Sequence, residues 1–277
     1  MDAVTVRRAL IHSGLIPLEA QVLLAHVLGR DRAWLAAHPE DALTREHADT
    51  YFALARRRRE GEPVAYLTGV REFWGLPLRV SPAVLIPRPE TETLVEAALV
   101  RLPRDRDLQL LDLGTGSGAI ALALAHERPR AHVLAVDVSP QALAVAQANA
   151  QQLGIANCAF ERSDWYAAVP DRRYDLIAAN PPYIGGTDPH LAEGDLRHEP
   201  AAALTPGDDG LAALRTIIAG APARLAAGGH LAVEHGYDQA VAVRGLFEAA
   251  GFANVRSYRD LAGIERVVAG TFGPAQS

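Results

Sequence analysis

Cysteine is almost missing from this 277-residue chain, in which Cys158 stands alone. One thiol excludes an internal disulfide and any cysteine-rich metal site, and no metal is expected. The sequence has no basic-then-apolar leader and no apolar run long enough to cross a bilayer, so a cytoplasmic address and no membrane partner are expected. Positive charge is short as well. The 27 Lys and Arg are outnumbered by 33 Asp and Glu, for a formal net charge of −6, which argues against general affinity for a nucleic-acid backbone and against direct DNA binding. Internal repeats and low-complexity tracts are absent. What remains is 49% hydrophobic and 22% charged, the profile of a globular protein with one large and one smaller domain, expected as a monomer.

The first seventy or so residues read as helical. "LEAQVLLAHVLGR" spaces Leu18, Val22, Ala25 and His26 along one predicted face, with Gly29 as the stop. "TREHADTYFALARRRREG" opens on Thr44 as N-cap and closes on Arg56 to Arg59, where cations suit the helix dipole. That arginine run reads as a solvated helix end, with contact to an acidic partner or RNA as the alternative. "EFWGLPLRVSPAVLIPRPETE" changes character: aromatic and branched residues broken by Gly75, Pro77 and Pro82 predict a hairpin or extended connector, and a helix is expected from Glu90. The expected domains are residues 1–72 (helical), 73–89 (connector) and 90–277 (α/β).

From residue 108 strand and helix alternate. "LQLLDLG", "HVLAVDVS", "CAFERSD", "YDLIAAN" and "HLAVEHG" predict strands separated by helices, including one running through "GLAALRTIIAGAPARLAAGG". "VRSYRD" and "ERVVAG", joined by a short connection, predict an antiparallel pair at one edge. The pattern is that of a doubly wound α/β sheet.

Asp112-Leu113-Gly114-Thr115-Gly116-Ser117-Gly118 joins the first of these strands to its helix. Glycines let the backbone turn tightly and approach a ligand closely. Asp137, about twenty residues on at the end of the next strand, fits the acid that binds ribose hydroxyls. A nucleoside-containing cofactor follows. "GTGSGA" also matches the dinucleotide pattern, but a carboxylate at Asp112 would repel a pyrophosphate and suit the cationic S-adenosylmethionine (SAM). Trp165, beyond the third strand, is a candidate cover for the adenine face, or else an ordinary rim aromatic.

The fourth strand stops at Asn180-Pro181-Pro182-Tyr183. Two prolines end the ladder and fix φ, so the tetrapeptide is rigid. A planar nitrogen is a poor nucleophile because its lone pair is delocalised. Two acceptors holding its two N–H groups would orient it and favour rehybridisation. The Asn180 side-chain oxygen and the Pro181 carbonyl can supply them, with Tyr183 packed on the planar group. Catalysis would then be mainly positioning.

"DLGTGSG", "AVDVSP" and "NPPYI" resemble the class I SAM-dependent methyltransferases that act on planar nitrogens. With "REFWGLPLRVSPAVLIPRPETE", "EPAAALTPGDDGL" and "VEHGYDQ", the chain is similar to the HemK/PrmC family, the peptide chain release factor glutamine N5-methyltransferases. The resemblance implies a Rossmann-like, mixed seven-stranded sheet with a small N-terminal helical domain. It implies methyl transfer from SAM, leaving S-adenosylhomocysteine, to the glutamine amide of the Gly-Gly-Gln motif in class I release factors. By matching motif, Gly114 to Gly118, Asp137, Trp165 and Asn180 would contact SAM, and Asn180 to Tyr183 would hold the glutamine. Arg88 and Glu90 are candidates for the substrate entrance.

Residues 184–210 form a long link beside this site, read as a substrate-facing lid. Its His190, Asp195, His198 and Glu199 lack the spacing of a metal site. Alternatives stay open: a ribosomal-protein glutamine methyltransferase, an adenine N6 or guanine N2 methyltransferase, a dinucleotide oxidoreductase, or a binding protein that keeps only the pocket.

Overall fold

A computed structural model describes residues 4–207 and 209–273, with the His190 side chain left out. It divides the chain into two compact units, Met1–Val70 with Glu193–His198, and Arg71–Ala192 with Glu199–Ser277. No helix among the described residues is long and apolar enough to cross a membrane.

The first unit packs α1 (Val6–His12), α2 (Pro17–Leu28), α3 (Arg32–Ala37), α4 (Arg45–Arg59) and α5 (Val64–Thr68) around Val6, Leu23, Leu24, Leu35, Tyr51 and Leu67. Thr44 caps α4 by accepting from the His47 amide, and Gly29 ends α2 in the left-handed region at φ 60°. Of the face expected for α2, only Ala25 is buried. Ala20, Leu23, Leu24 and Ala25 face inward, while Leu18 is 51% exposed. Apolar residues surround this helix, so spacing alone does not choose the face.

Arg56, Arg57 and Arg59 at the end of α4 are exposed, as a solvated helix end would be, yet three of the four arginines are also bonded. Arg57 pairs with Glu62 through two bonds of 2.7 and 2.6 Å, and Arg59 donates to the Ser13 carbonyl at 2.5 Å. Arg58 donates to both Glu19 and Asp195 at 2.8 Å. Arg197 adds a bond to the Glu60 carbonyl at 3.1 Å, so the segment Glu193–His198 is fastened to the helical unit at two points.

In the second unit a hairpin, β1 (Val70–Phe73) and β2 (Leu76–Arg79), turns through Trp74 and Gly75, both at positive φ. A 3-10 turn, Pro89–Thr91, leads into α6 (Glu92–Leu99), so the helix expected from Glu90 begins there as a 3-10 turn and becomes α-helix two residues later. Then come β3 (Gln109–Leu113), α7 (Ala119–Glu127), β4 (His132–Asp137), α8 (Pro140–Leu153), β5 (Cys158–Arg162), β6 (Tyr174–Ala179), α9 (Ala201–Leu204), α10 (Ala212–Gly220), β7 (Leu225–Glu234), α11 (Ala240–Ala249), β8 (Phe252–Arg259) and β9 (Glu265–Phe272). Ser139 caps α8 through the Ala142 amide, Pro140 opens it and Gly154 closes it; such a cap is worth about 1 kcal/mol.

The seven strands order as β5-β4-β3-β6-β7-β9-β8, with β9 antiparallel to both neighbours and the rest parallel. This is the mixed seven-stranded sheet that the resemblance implies, with the expected antiparallel pair at one edge. One core lies under α6 and α7, where every residue from Ala119 to Ala125 is buried, and a second packs α10 and α11 on the opposite face. The helix expected across 210–229 ends at Gly220 instead. Pro222 cannot continue it, and the chain becomes strand from Leu225, through Gly228 at φ 78° beside a register shift against β6.

Candidate active site

Strand register alone assembles the site. Val136, Leu113, Ala179 and Val233 lie on one line across β4, β3, β6 and β7. One residue further along, at the carboxyl ends, come Asp137, Gly114, Asn180 and Glu234. The chain order reverses between β3 and β6, the point where α/β sheets open a crevice for ligands.

A cavity of ≈ 280 Å³ occupies that crevice, wholly within the second unit, near the small end of the range of about 300–1,000 Å³ for small-molecule sites. Gly114, Thr115, Gly116, Ser117, Asp137, Trp165, Asn180, Pro182 and Arg88 line it, so most expected site residues meet there. Gly116 has φ 56° and open space where a Cβ would stand. The turn therefore lets a ligand reach the backbone. Asp137 accepts from the Gly116 and Ser139 amides, both at 2.9 Å, which fixes its carboxylate at the rim. Trp165 sits at φ 46°, and its ring lies over Gly114, where a Cβ would meet it at 3.4 Å. A non-glycine residue there costs of order 1–3 kcal/mol, a cost met mostly at functional sites. Val84, Ile120, Ala142 and Ala203 supply apolar wall. A carboxylate for a diol, an aromatic and an apolar slot, and an open glycine turn fit a nucleoside-bearing cofactor.

Other expected residues lie elsewhere. Asp112 is fully buried beneath the turn instead of lining the cavity: its Oδ2 accepts from the Thr115 hydroxyl at 2.6 Å, and its Oδ1 has no hydrogen-bond partner among the described residues. Burial pushes its carboxyl up to about 7, against the Thr115 hydroxyl, and the Asp137 charge adds to the rise. Gly118 serves packing, since a Cβ there would crowd Leu122 and Ala146. Pro181 is buried and outside the lining. Tyr183 does not face the cavity either. After the two prolines its ring turns into the second core, and its hydroxyl donates to Glu234 Oε1 at 3.1 Å. Glu90 also lies outside the lining.

Asn180 is held in a definite sense. Its Nδ2 donates to the Thr91 hydroxyl at 3.1 Å, and no donor among the described residues reaches its Oδ1. None reaches the Pro181 carbonyl. Both proposed acceptors are therefore unused, and the Asn180 oxygen belongs to a residue of the cavity wall. Gln239 Nε2 donates to the Tyr183 carbonyl at 3.0 Å, fastening the other end of the tetrapeptide.

Sequence reasoning missed three residues here. Thr91 is buried and lines the cavity beside Asn180. Glu234 is 1% exposed at the end of β7; burial pushes its carboxyl up to about 7, opposed by the Thr91 and Tyr183 hydroxyls and by Arg266, with Glu90 adding to the rise. Glu199, whose side chain is fully buried, pairs with Arg88 and accepts from the Ile86 amide at 3.1 Å. That clamp seats Pro200, Ala202 and Ala203 on the cavity. The long link is thus an ordered wall over part of its length; Glu199 and Asp195 are both committed to arginines, and the His190 side chain lies outside the described residues. The signal available for Glu234 was a lone acid ending the otherwise apolar run "HLAVE".

Residues 91–207 match the family model of the methyltransferase small domain, and residues 7–69 match that of the PrmC N-terminal domain. A release factor glutamine methyltransferase of Bordetella pertussis is 55% identical over 258 residues, covering 93% of this chain and 95% of its own. Another from Escherichia coli is 51% identical over 254 residues, covering 92% and 91%. The solved 16S rRNA N2 G1207 methyltransferase of T. thermophilus, in complex with AdoMet and guanosine, superimposes with TM-score 0.54 at 21% identity, over 73% of this chain and 49% of that one, a likeness of fold alone.

Proposed function

The chain belongs to the release factor glutamine methyltransferase family, and from that premise we propose that it methylates the side-chain amide nitrogen of the Gly-Gly-Gln glutamine in class I release factors, with SAM as donor. It is a methyltransferase with the class I fold. When bound, SAM would supply its sulfonium methyl: a bond from the amide nitrogen to the methyl carbon would form as the S–CH₃ bond breaks to leave S-adenosylhomocysteine, and one nitrogen proton would be released to solvent. The chain's own residues do the rest. The carboxylate of Asp137, pinned by two backbone amides, holds the ribose diol, and the Gly114–Gly118 turn admits the cofactor to the backbone. Asn180 Oδ1 and the Pro181 carbonyl accept the two N–H groups of the glutamine, aim its nitrogen and stabilise the charge that develops on it.

The observation that carries this reading is the orientation of Asn180. Its donor end is spent on Thr91, so its acceptor end is the one available to a substrate. An amide or amine with two N–H groups matches that pair of acceptors; a hydroxyl, with one proton, does not. Asp137 and Trp165 favour SAM as the donor over a smaller methyl source.

Labelled SAM incubated with an unmethylated release factor should mark that protein and leave its Gln→Ala form, ribosomes, tRNA and DNA unmarked. Label on the Gln→Ala protein or on nucleic acid would refute the proposal. Asn180→Ala should lose about 10²-fold or more in turnover, the scale for removing one transition-state hydrogen-bonding group, while SAM affinity falls much less. Parallel loss of both would remove the amide-holding role.

A further inference from the structure

The string "VEHGYDQ" carries part of the family resemblance, yet the methyl-transfer reading leaves it unused. In the structure it makes two bonds to one residue of the tetrapeptide. Glu234, near its start, accepts from the Tyr183 hydroxyl at 3.1 Å, and Gln239, at its end, donates to the Tyr183 carbonyl at 3.0 Å. We propose that Gln239 is a positioning residue for the methyl transfer: by holding the Tyr183 carbonyl it keeps the Pro181 carbonyl aimed at the substrate amide.

The Gln239 amide has one orientation that fits its partners. A backbone N–H only donates and a carbonyl only accepts. The Gly236 N–H donates to Gln239 Oε1 at 2.9 Å, so Nε2 is the end left for Tyr183. The Gln239 main-chain N–H in turn donates to the Gly236 carbonyl at 3.0 Å, which ties its backbone and side chain to the same glycine. Gln239 stands at the N-cap of α11, yet its side chain makes no capping bond to that helix. The side chain is spent instead on Gly236 and on Tyr183, 56 residues back in the chain. A residue that served only its own helix would not reach so far.

The far end of the tetrapeptide matters because of its torsions. Pro181 and Pro182 have φ fixed, so ψ is what turns their carbonyls. The ladders of β6 with β3 and β7 end at Ala179, and no donor among the described residues reaches the Pro181 or Pro182 carbonyl. The direction of the Pro181 carbonyl is therefore set from the two ends of the segment. Thr91 holds the Asn180 side chain at one end. At the other, the peptide unit from Tyr183 to Ile184 is held on both edges: Gln239 takes its carbonyl, and its N–H donates to the Leu204 carbonyl at 3.0 Å. Without Gln239 that unit keeps one of its two bonds and swings, and the Pro181 carbonyl swings with it. Gln239 lies outside the cavity lining, so cofactor binding is left as it was.

The kinetic consequence rests on the amide substrate proposed above; the structural one does not. Acceptors aimed at the nitrogen count most where charge develops on it, so their misalignment lowers kcat and leaves KM for the release factor in place.

The test uses the full chain with two variants. Gln239→Glu, ionised at neutral pH, keeps the shape and the acceptor for Gly236 but loses the donor, and Gln239→Met loses both. Tyr183-Ile184 is the only Tyr-Ile pair in the sequence, so tyrosine labelled with ¹³C at its carbonyl and isoleucine labelled with ¹⁵N give one correlation peak for this peptide unit. In both variants that peak should shift, and the Ile184 amide should exchange faster than in the wild type. With release factor and SAM, kcat should fall at least about tenfold in each, within the roughly 10²-fold that a displacement of about 1 Å can cost, at unchanged KM. S-adenosylhomocysteine should bind each variant with wild-type affinity and stoichiometry, which a merely damaged fold would not allow. Wild-type kcat in both variants, an unmoved peak, a loss carried by KM, or equal losses of kcat and S-adenosylhomocysteine binding would each overturn the inference. If Gln239→Glu does not fold, Gln239→Met carries every measurement. Failure of the wild type to methylate any release factor would refute the substrate reading, and the peak shift would then decide whether Gln239 holds the carbonyl.

Discussion

Single residues decide the acid–base behaviour of this protein. Asp112 and Glu234 are both carboxyls that burial pushes up to about 7, whereas in an unfolded chain Asp ionises near about 3.9 and Glu near about 4.3. Between those limits the native state still holds protons that the unfolded chain has released, so it gains relative to the unfolded state at low pH. The contribution of the two groups is fully present below about pH 4 and is lost as pH rises through about 7. Urea unfolding followed from about pH 5 to about 8.5, across the value of about 7 that both groups share, should show stability declining, and Asp112→Asn or Glu234→Gln should flatten the decline. An unchanged slope in both variants would assign the decline to other groups. Asp137 and Asn180 were legible in the sequence because each comes near the end of a short apolar run, three residues before Pro140 and directly before Pro181. Thr91 and Glu234 were not. Their contacts with the tetrapeptide span 89 and 51 residues, and no local string encodes a pairing of that reach.

Elements inherit their placement from register and from what their ends can tolerate. The glycine-rich turn, the capped helix α8 and the strand stopped by two prolines were readable because capping and φ constraints are local. The buried face of α2 and the end of α10 were not. Leu18 and Leu23 are equally apolar, so only the packed neighbours separate them. The stretch "AGAPARLAAGG" is rich in helix-forming alanine, yet from Leu225 on it is strand paired with β6. Gly210 shows how a loop element disciplines the site. It sits at φ 74°, and a Cβ there would overlap the Tyr183 carbonyl and approach Gln239 Nε2 at 2.9 Å. Gly210→Ala should cost about 1–3 kcal/mol, the range for a residue forced into such a backbone. Thermal unfolding would register it, together with weaker turnover as the tetrapeptide shifts. A variant as stable and active as the wild type would show that the link relaxes freely.

At the scale of the whole molecule, the chain passes from the helical unit to the α/β unit, back for Glu193–His198, and out again. The sequence announced two domains but not the return, since six residues of ordinary loop composition carry no mark of it. Arg58, with its side chain 20% exposed, holds that return between two carboxylates. Arg58→Leu should leave Glu19 and Asp195 without their cation and speed amide exchange across Glu193–His198. Exchange equal to wild type would mean that Arg197 alone suffices.

The same return fixes a schedule during synthesis. Arg58 and Asp195 lie 137 residues apart, and at about 5–20 residues per second a ribosome takes roughly 7 to 27 seconds to make the distance. Once α5 is made, ten residues after Arg58, Glu19 is already in the chain while Asp195 is not yet made. The most N-terminal part of the protein thus acquires its last contacts only after the tetrapeptide has been translated.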